Sequence, residues 1–148
     1  MKLTGEQLIP ASVAMVWEMI NDIEVLKACI PGCESLERDE DGRLTATVSL
    51  KVGPVKARFS GEVTLSEIDP PNGYRISGKG SGGVAGFAEG GAVIALSPAE
   101  DGTLLTYDAE AKIGGKLAQL GTRLIDSTAK KLTLQFFDAL NERITEQA

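Results

Sequence analysis

Between Leu44 and Ile113 the chain returns repeatedly to a two-residue hydrophobic period, and after Gly114-Gly115 it changes to a helical one that persists to the end. In "RLTATVSLKV" the residues Leu44, Ala46, Val48, Leu50 and Val52 share one face, with Thr45, Thr47, Ser49 and Lys51 on the other. "VKARFSGEVTL" repeats the pattern, and "LLTYDAEAKI" sets Leu105, Tyr107, Ala109, Ala111 and Ile113 against Thr106, Asp108, Glu110 and Lys112. Such alternation is that of antiparallel strands with one wet and one buried face. "DPPNGY" and "SPAEDGT" supply turns between strands.

Upstream, Lys2 to Ile9 reads as a first strand, and "ASVAMVWEMIND" as a short helix with Ser12 as N-cap. A second short helix, "IEVLKACI", stops at Pro31-Gly32. From Lys116 the spacing predicts one continuous helix to Glu146, about 45 Å long. Its core-facing side is read as Leu117, Gly121, Leu124, Ile125, Thr128, Leu132, Phe136 and Ala139. One sheet has one face to bury, and this helix is the largest apolar element available to cover it. The expected fold is therefore α+β: a curved antiparallel sheet wrapped around a long C-terminal helix, in one domain spanning residues 1–148.

The stretch "GKGSGGVAGFAEGGAVIAL", Gly78 to Leu96, places glycine where strands favour branched or aromatic side chains. Gly78 to Gly83 satisfies G-x-G-x-x-G, but no helix follows to present its amides to a pyrophosphate. Gly73 to Gly80 nearly matches a phosphate-binding loop, yet Gly80 stands where the magnesium-binding hydroxyl belongs. Two explanations remain. Glycines let a sheet bend around a helix, and small residues leave volume that a ligand can occupy. Glu89, the only charge between Lys79 and Glu100, alternates with Phe87 and Val93, which look core-facing. It sits either in the pocket or, solvated, on the convex face.

Composition narrows the function further. A formal charge of −6 argues against nucleic acid and against adhesion to anionic lipid. No apolar run approaches the ~20 residues of a membrane span, and the N-terminus lacks the pattern of a signal peptide, which makes the cytoplasm the default compartment. The chain has no histidine, so Ser-His and Cys-His nucleophiles are excluded. Cys29 and Cys33 flank a Pro-Gly turn with neither redox-pair spacing nor enough partners for zinc, and no metal site is expected.

"CIPGCESLE", "VGPVKARFSGEVTLSEIDPPNGYRISGKGSGG", "DGTLLTYDAEAKIGGKLAQLG" and the phenylalanine-bearing last helix together resemble the CoxG family of carbon monoxide dehydrogenase subunits. That family belongs to the START/pollen-allergen-like helix-grip superfamily, and the likeness runs from about Ile9 to Leu140. The resemblance implies an incomplete barrel gripping the helix around a hydrophobic tunnel. It further implies an accessory protein of molybdenum-containing carbon monoxide dehydrogenases or related hydroxylases, linking them to the membrane and carrying a quinone or lipid. No cofactor of its own is implied. Many relatives continue into a membrane-associating tail, whereas this sequence ends at "NERITEQA", so any membrane contact is expected to be peripheral.

Residues chosen for size and inward parity as tunnel lining are Trp17, Phe59, Tyr74, Phe87, Tyr107, Leu120, Leu124 and Phe136, with Glu89 as a candidate polar group. Leu134, Phe137 and Ile144 form a second apolar strip on the last helix. This strip either meets a partner enzyme, a second copy in a homodimer or a membrane, or is buried against the short helices. Two other functions stand beside the carrier. One is a polyketide cyclase or aromatase-like enzyme using Glu89, Tyr74, Tyr107 or a buried lysine as acid and base. The other is a recruiter of a partner enzyme that holds no ligand.

Overall fold

The computed structural model describes residues 1–147. Strand β1 (Lys2–Ile9) is followed by helices α1 (Val13–Ile20) and α2 (Ile23–Cys29). Strands β2 (Cys33–Arg38), β3 (Leu44–Val52), β4 (Val55–Asp69), β5 (Gly73–Ser81), β6 (Phe87–Ala99) and β7 (Gly102–Gly114) come next, followed by the long helix α3 (Thr122–Gln147). The helix starts follow from their caps. Ser12 Oγ accepts from the Met15 amide at 3.2 Å, and Asp22 Oδ1 accepts from the Glu24 and Val25 amides at 2.9 and 3.3 Å.

All seven strands form one antiparallel sheet in the order β1-β7-β6-β5-β4-β3-β2. Sequential hairpins build β2 to β7, and β1 closes on β7 with Gly5 opposite Tyr107. Helices α1 and α2 carry the chain from one edge of the sheet to the other. α2 packs on β2 and α3, while α3 reaches β1 and β3, so helices fill the gap that the two edge strands leave open. The molecule is thus a curved antiparallel sheet closed around its long C-terminal helix.

Four features depart from the sequence reading. Strand β2 is an addition: a bulge between Cys33 and Ser35 interrupts its alternation. The last hairpin turn is narrower than "SPAEDGT", because β6 continues through Ser97 and Pro98 to Ala99. The terminal helix is not continuous from Lys116. Gly115–Leu120 is a 3-10 segment, Gly121 breaks it with φ of 92°, and α3 then runs 26 residues, about 39 Å. Finally, the buried face of α3 is rotated from the expected one. Phe137, Leu140 and Ile144 are its buried residues, 6%, 0% and 3% exposed. They join Ile9, Val16, Met19, Ile20, Val25, Leu96 and Leu105 in the core.

That core lies under the C-terminal half of α3 only. Tyr107 lies across Gly5, where an added Cβ would collide with the phenol, and stacks on Phe137 at 5.8 Å between ring centroids. Phe136 meets Phe137 edge-on at 5.2 Å. Under the N-terminal half, the sheet presents very little bulk.

Candidate functional site: an apolar tunnel beneath the last helix

The pairing register explains where that bulk is missing. Ala46, Gly61, Gly80 and Ala88 are successive cross-strand partners on β3, β4, β5 and β6. Beside them run Val63, Gly78, Gly90 and Ala111, partners on β4, β5, β6 and β7. All lie on the concave face and line one cavity of about 540 Å³. Its other walls include Val48, Leu50 and Phe59 from the sheet, Ile30 and Pro31 from the end of α2, Leu117 from the 3-10 segment and Leu132 from α3. The charged residues at its edge, Glu62, Lys79, Glu89 and Glu110, are exposed and alternate with the small lining residues, which puts their side chains on the opposite face.

The glycines therefore meet both physical demands raised by the sequence. A Cβ on Gly91 would lie 2.6 Å from the Ile76 carbonyl, one on Gly61 2.9 Å from that of Lys79, and one on Gly90 would strike the Glu110 carbonyl. These are backbone approaches of a strongly bent sheet. Gly61 and Gly90, on the concave face with their alanine neighbours, also leave the space that the cavity occupies.

A second chamber of about 270 Å³ continues toward the core. It shares Ile30, Ala46, Val63 and Ile76 with the first, so the two chambers adjoin across those side chains. Leu36, Leu44, Leu65, Ile94, Phe136 and Tyr74 line it, with Asn21 and Arg38 at its rim. Tyr74 is buried, packs against Trp17 at 5.4 Å between centroids, and donates from its hydroxyl to the Ile20 carbonyl at 3.4 Å. Burial pushes its phenol up to about 12, offset in part by the nearby Arg38 guanidinium.

The residues picked from the sequence divide into three groups. Phe59 lines the large chamber, and Tyr74 and Phe136 line the small one. Trp17 and Tyr107 pack around the core without lining either chamber. The remaining four lie elsewhere. Leu124 sits on the β3–β4 hairpin, its Cδ2 2.7 Å from where a Cβ on Gly53 would be, and half-buried Leu120 lines neither chamber. Phe87 is 45% exposed and covers Gly114, and Glu89 is exposed on the convex face. The even-numbered residues of β6 point inward, because Ala88, Ala92, Ile94 and Leu96 alternate with exposed Glu89, Val93 and Ala95. Glu89 instead belongs to a cross-strand row of alternating charge, Glu62–Lys79–Glu89–Lys112.

The apolar strip on the last helix is corrected as well. Phe137 and Ile144 are core residues, packed with the short helices, and only Leu134 is on the surface, 54% exposed. The sequence reading overlooked Arg38, Asn21, Ala46, Val63 and Ile76 because it sought large side chains. Inward parity of small and medium residues is the signal that would have found the last three.

Cys29 is buried and Cys33 half-buried, both as free thiols. Burial raises both thiols above their ordinary value, which keeps them protonated and weakly reactive. Among the described residues no cluster of histidine, cysteine, aspartate or glutamate is arranged to hold a metal ion. No helix among them is long and apolar enough to cross a membrane.

Comparison with known proteins places this architecture. A conserved protein from Geobacillus kaustophilus is 32% identical, with a TM-score of 0.93 over 99% of this chain and 96% of that one. A START superfamily protein from Mycobacterium smegmatis superposes with a TM-score of 0.74 at 14% identity, covering 99% of each chain. A Thermus thermophilus protein gives 0.73 at 20% identity, covering 100% of this chain and 99% of that one. None of the curated proteins matches the chain. The sequence model of CoxG, a family of carbon monoxide dehydrogenase subunits, matches residues 5–145. With that match spanning nearly its whole length, the chain belongs to the carbon monoxide dehydrogenase CoxG family.

Proposed function

We propose that this protein is a non-catalytic carrier that encloses a hydrophobic ligand, a respiratory quinone or another lipid. It would serve a molybdenum-containing carbon monoxide dehydrogenase or related hydroxylase and link that enzyme to the membrane. The observation that carries the reading is the 540 Å³ apolar cavity between the small-residue band of the sheet and the N-terminal half of α3. A ligand site of this kind gains affinity from apolar burial, at about 25 cal/mol per Å², and falls in the size range of small-molecule pockets. Family membership supports the accessory role. A cyclase-like reading loses its leading acid, because Glu89 lies outside the tunnel.

Mass spectrometry of organic extracts from the purified protein tests the proposal, together with titration by quinones and fatty acids. Co-purification of a stoichiometric lipid or quinone is expected. A protein that carries nothing and takes up neither class on titration would leave the tunnel without a role.

A further inference from the structure

The two chambers are not alike, since the polar rim belongs to the smaller one. Arg38 lies two residues beyond buried Leu36 on β2 and pairs with buried Leu44, which directs its side chain to the concave side at the end of the sheet. Its Nη2 donates to the Asn21 carbonyl at 2.9 Å, which pins the guanidinium at the rim while other N–H donors stay available. Among the described residues no carboxylate is ion-paired with it. Deeper on the same wall, the Tyr74 hydroxyl reaches its carbonyl partner at 3.4 Å, longer than a good hydroxyl hydrogen bond. A better-placed acceptor can accept that hydrogen bond in its place. Because burial raises the phenol, it stays a donor throughout the neutral range. Two donors therefore converge at one end of an otherwise apolar channel.

We infer that the tunnel holds an amphipathic molecule in one orientation. Its oxygen-acceptor head, a quinone carbonyl or a carboxylate, lies between Arg38 and Tyr74. Its hydrocarbon tail passes Ile30 and Ile76 into the larger chamber. This orientation rests on the tunnel being a ligand site at all, and the experiment separates the two claims.

The full chain is titrated with palmitate and with a decyl-substituted benzoquinone. The readout is the fluorescence of Trp17, the chain's one tryptophan, which sits 5.4 Å from the Tyr74 ring. Three variants are compared after their folding is verified by circular dichroism: Arg38→Gln, Tyr74→Phe and Ala92→Phe. Tyr74→Phe is expected to weaken every probe that binds by roughly tenfold, the effect of losing one hydrogen bond to a buried acceptor. Arg38→Gln is expected to weaken palmitate more than the quinone, because it removes a charge. Binding of palmitate alone assigns a carboxylate head, and binding of the quinone alone a neutral carbonyl head. If Ala92→Phe blocks uptake while the two rim variants stay within about twofold of the parent, the tunnel stands and the orientation falls. Loss at the rim with none from Ala92→Phe removes the tail from the large chamber and overturns the orientation too. Failure of both probes on the parent protein overturns the ligand site itself.

Discussion

Gly78 and Gly90 face each other across the β5–β6 ladder, so at the centre of the concave face two adjoining strands contribute only backbone. Four strands contribute to this row, which Val63 and Ala111 complete. The void beneath α3 is thus a property of strand register, and it can be filled from a neighbouring position without touching the glycines.

Ala92 is that position, since it already carries a Cβ aimed into the large chamber. Ala92→Phe is expected to abolish uptake of any tunnel ligand while changing stability by only about 1 kcal/mol, because the added ring enters space already present. Ligand titration alongside urea unfolding measures both quantities.

Gly90→Ala has the opposite character. Its methyl group would strike the Glu110 backbone carbonyl, which cannot move without opening the β6–β7 ladder. A loss of about 2–3 kcal/mol is expected by chemical denaturation. A neutral substitution would show that the two strands do not approach this closely.

The orientation of α3 is tested by neighbours on that helix. Phe137→Ala removes a buried ring stacked on Tyr107 and is expected to cost about 3–5 kcal/mol. Leu134→Ala, on the exposed side, should stay within about 0.5 kcal/mol. The reverse ranking in thermal unfolding would mean that the helix is rolled about its axis.

Alkaline unfolding reports on Tyr74. Its phenol is pushed from 10.0 up to about 12 in the folded protein, so the folded state holds the proton more tightly than the unfolded chain. The sign follows: the contribution of Tyr74 is unchanged below pH 10 and falls between about pH 10 and 12, by up to about 1.4 kcal/mol per pH unit. The raised thiols of Cys29 and Cys33 act in the same sense from about pH 9 upward. The difference between the parent and Tyr74→Phe isolates the tyrosine, and that difference should be independent of pH around neutrality and change only above about pH 10.

Much of this fold is legible in the sequence where one physical rule acts alone. β3, β4 and β7 alternate because one face is wet, and α1 begins at Ser12 because a hydroxyl there satisfies an orphan amide. The reading weakens where two rules compete. β2 has a bulge after Cys33 that breaks its period. In α3 the apolar residues encircle the helix because its halves face different surroundings, a cavity at Leu132 and a packed core at Phe137 and Leu140. A single helical wheel averages the two. The tunnel was legible as missing volume among Gly78 to Ala92, but its lining was not, since side chains chosen for size, such as Phe87 and Leu124, are those that fill space elsewhere.

The aromatic cluster and the large chamber lie under opposite halves of one rod, and this separates two kinds of evolutionary freedom. Substitutions around Phe137 are constrained by thermodynamics. Those at Ala88, Ala92 or Ala111 act mainly on the shape of the large chamber. A lineage built on this scaffold can reshape the hollow half while the solid half keeps the molecule folded.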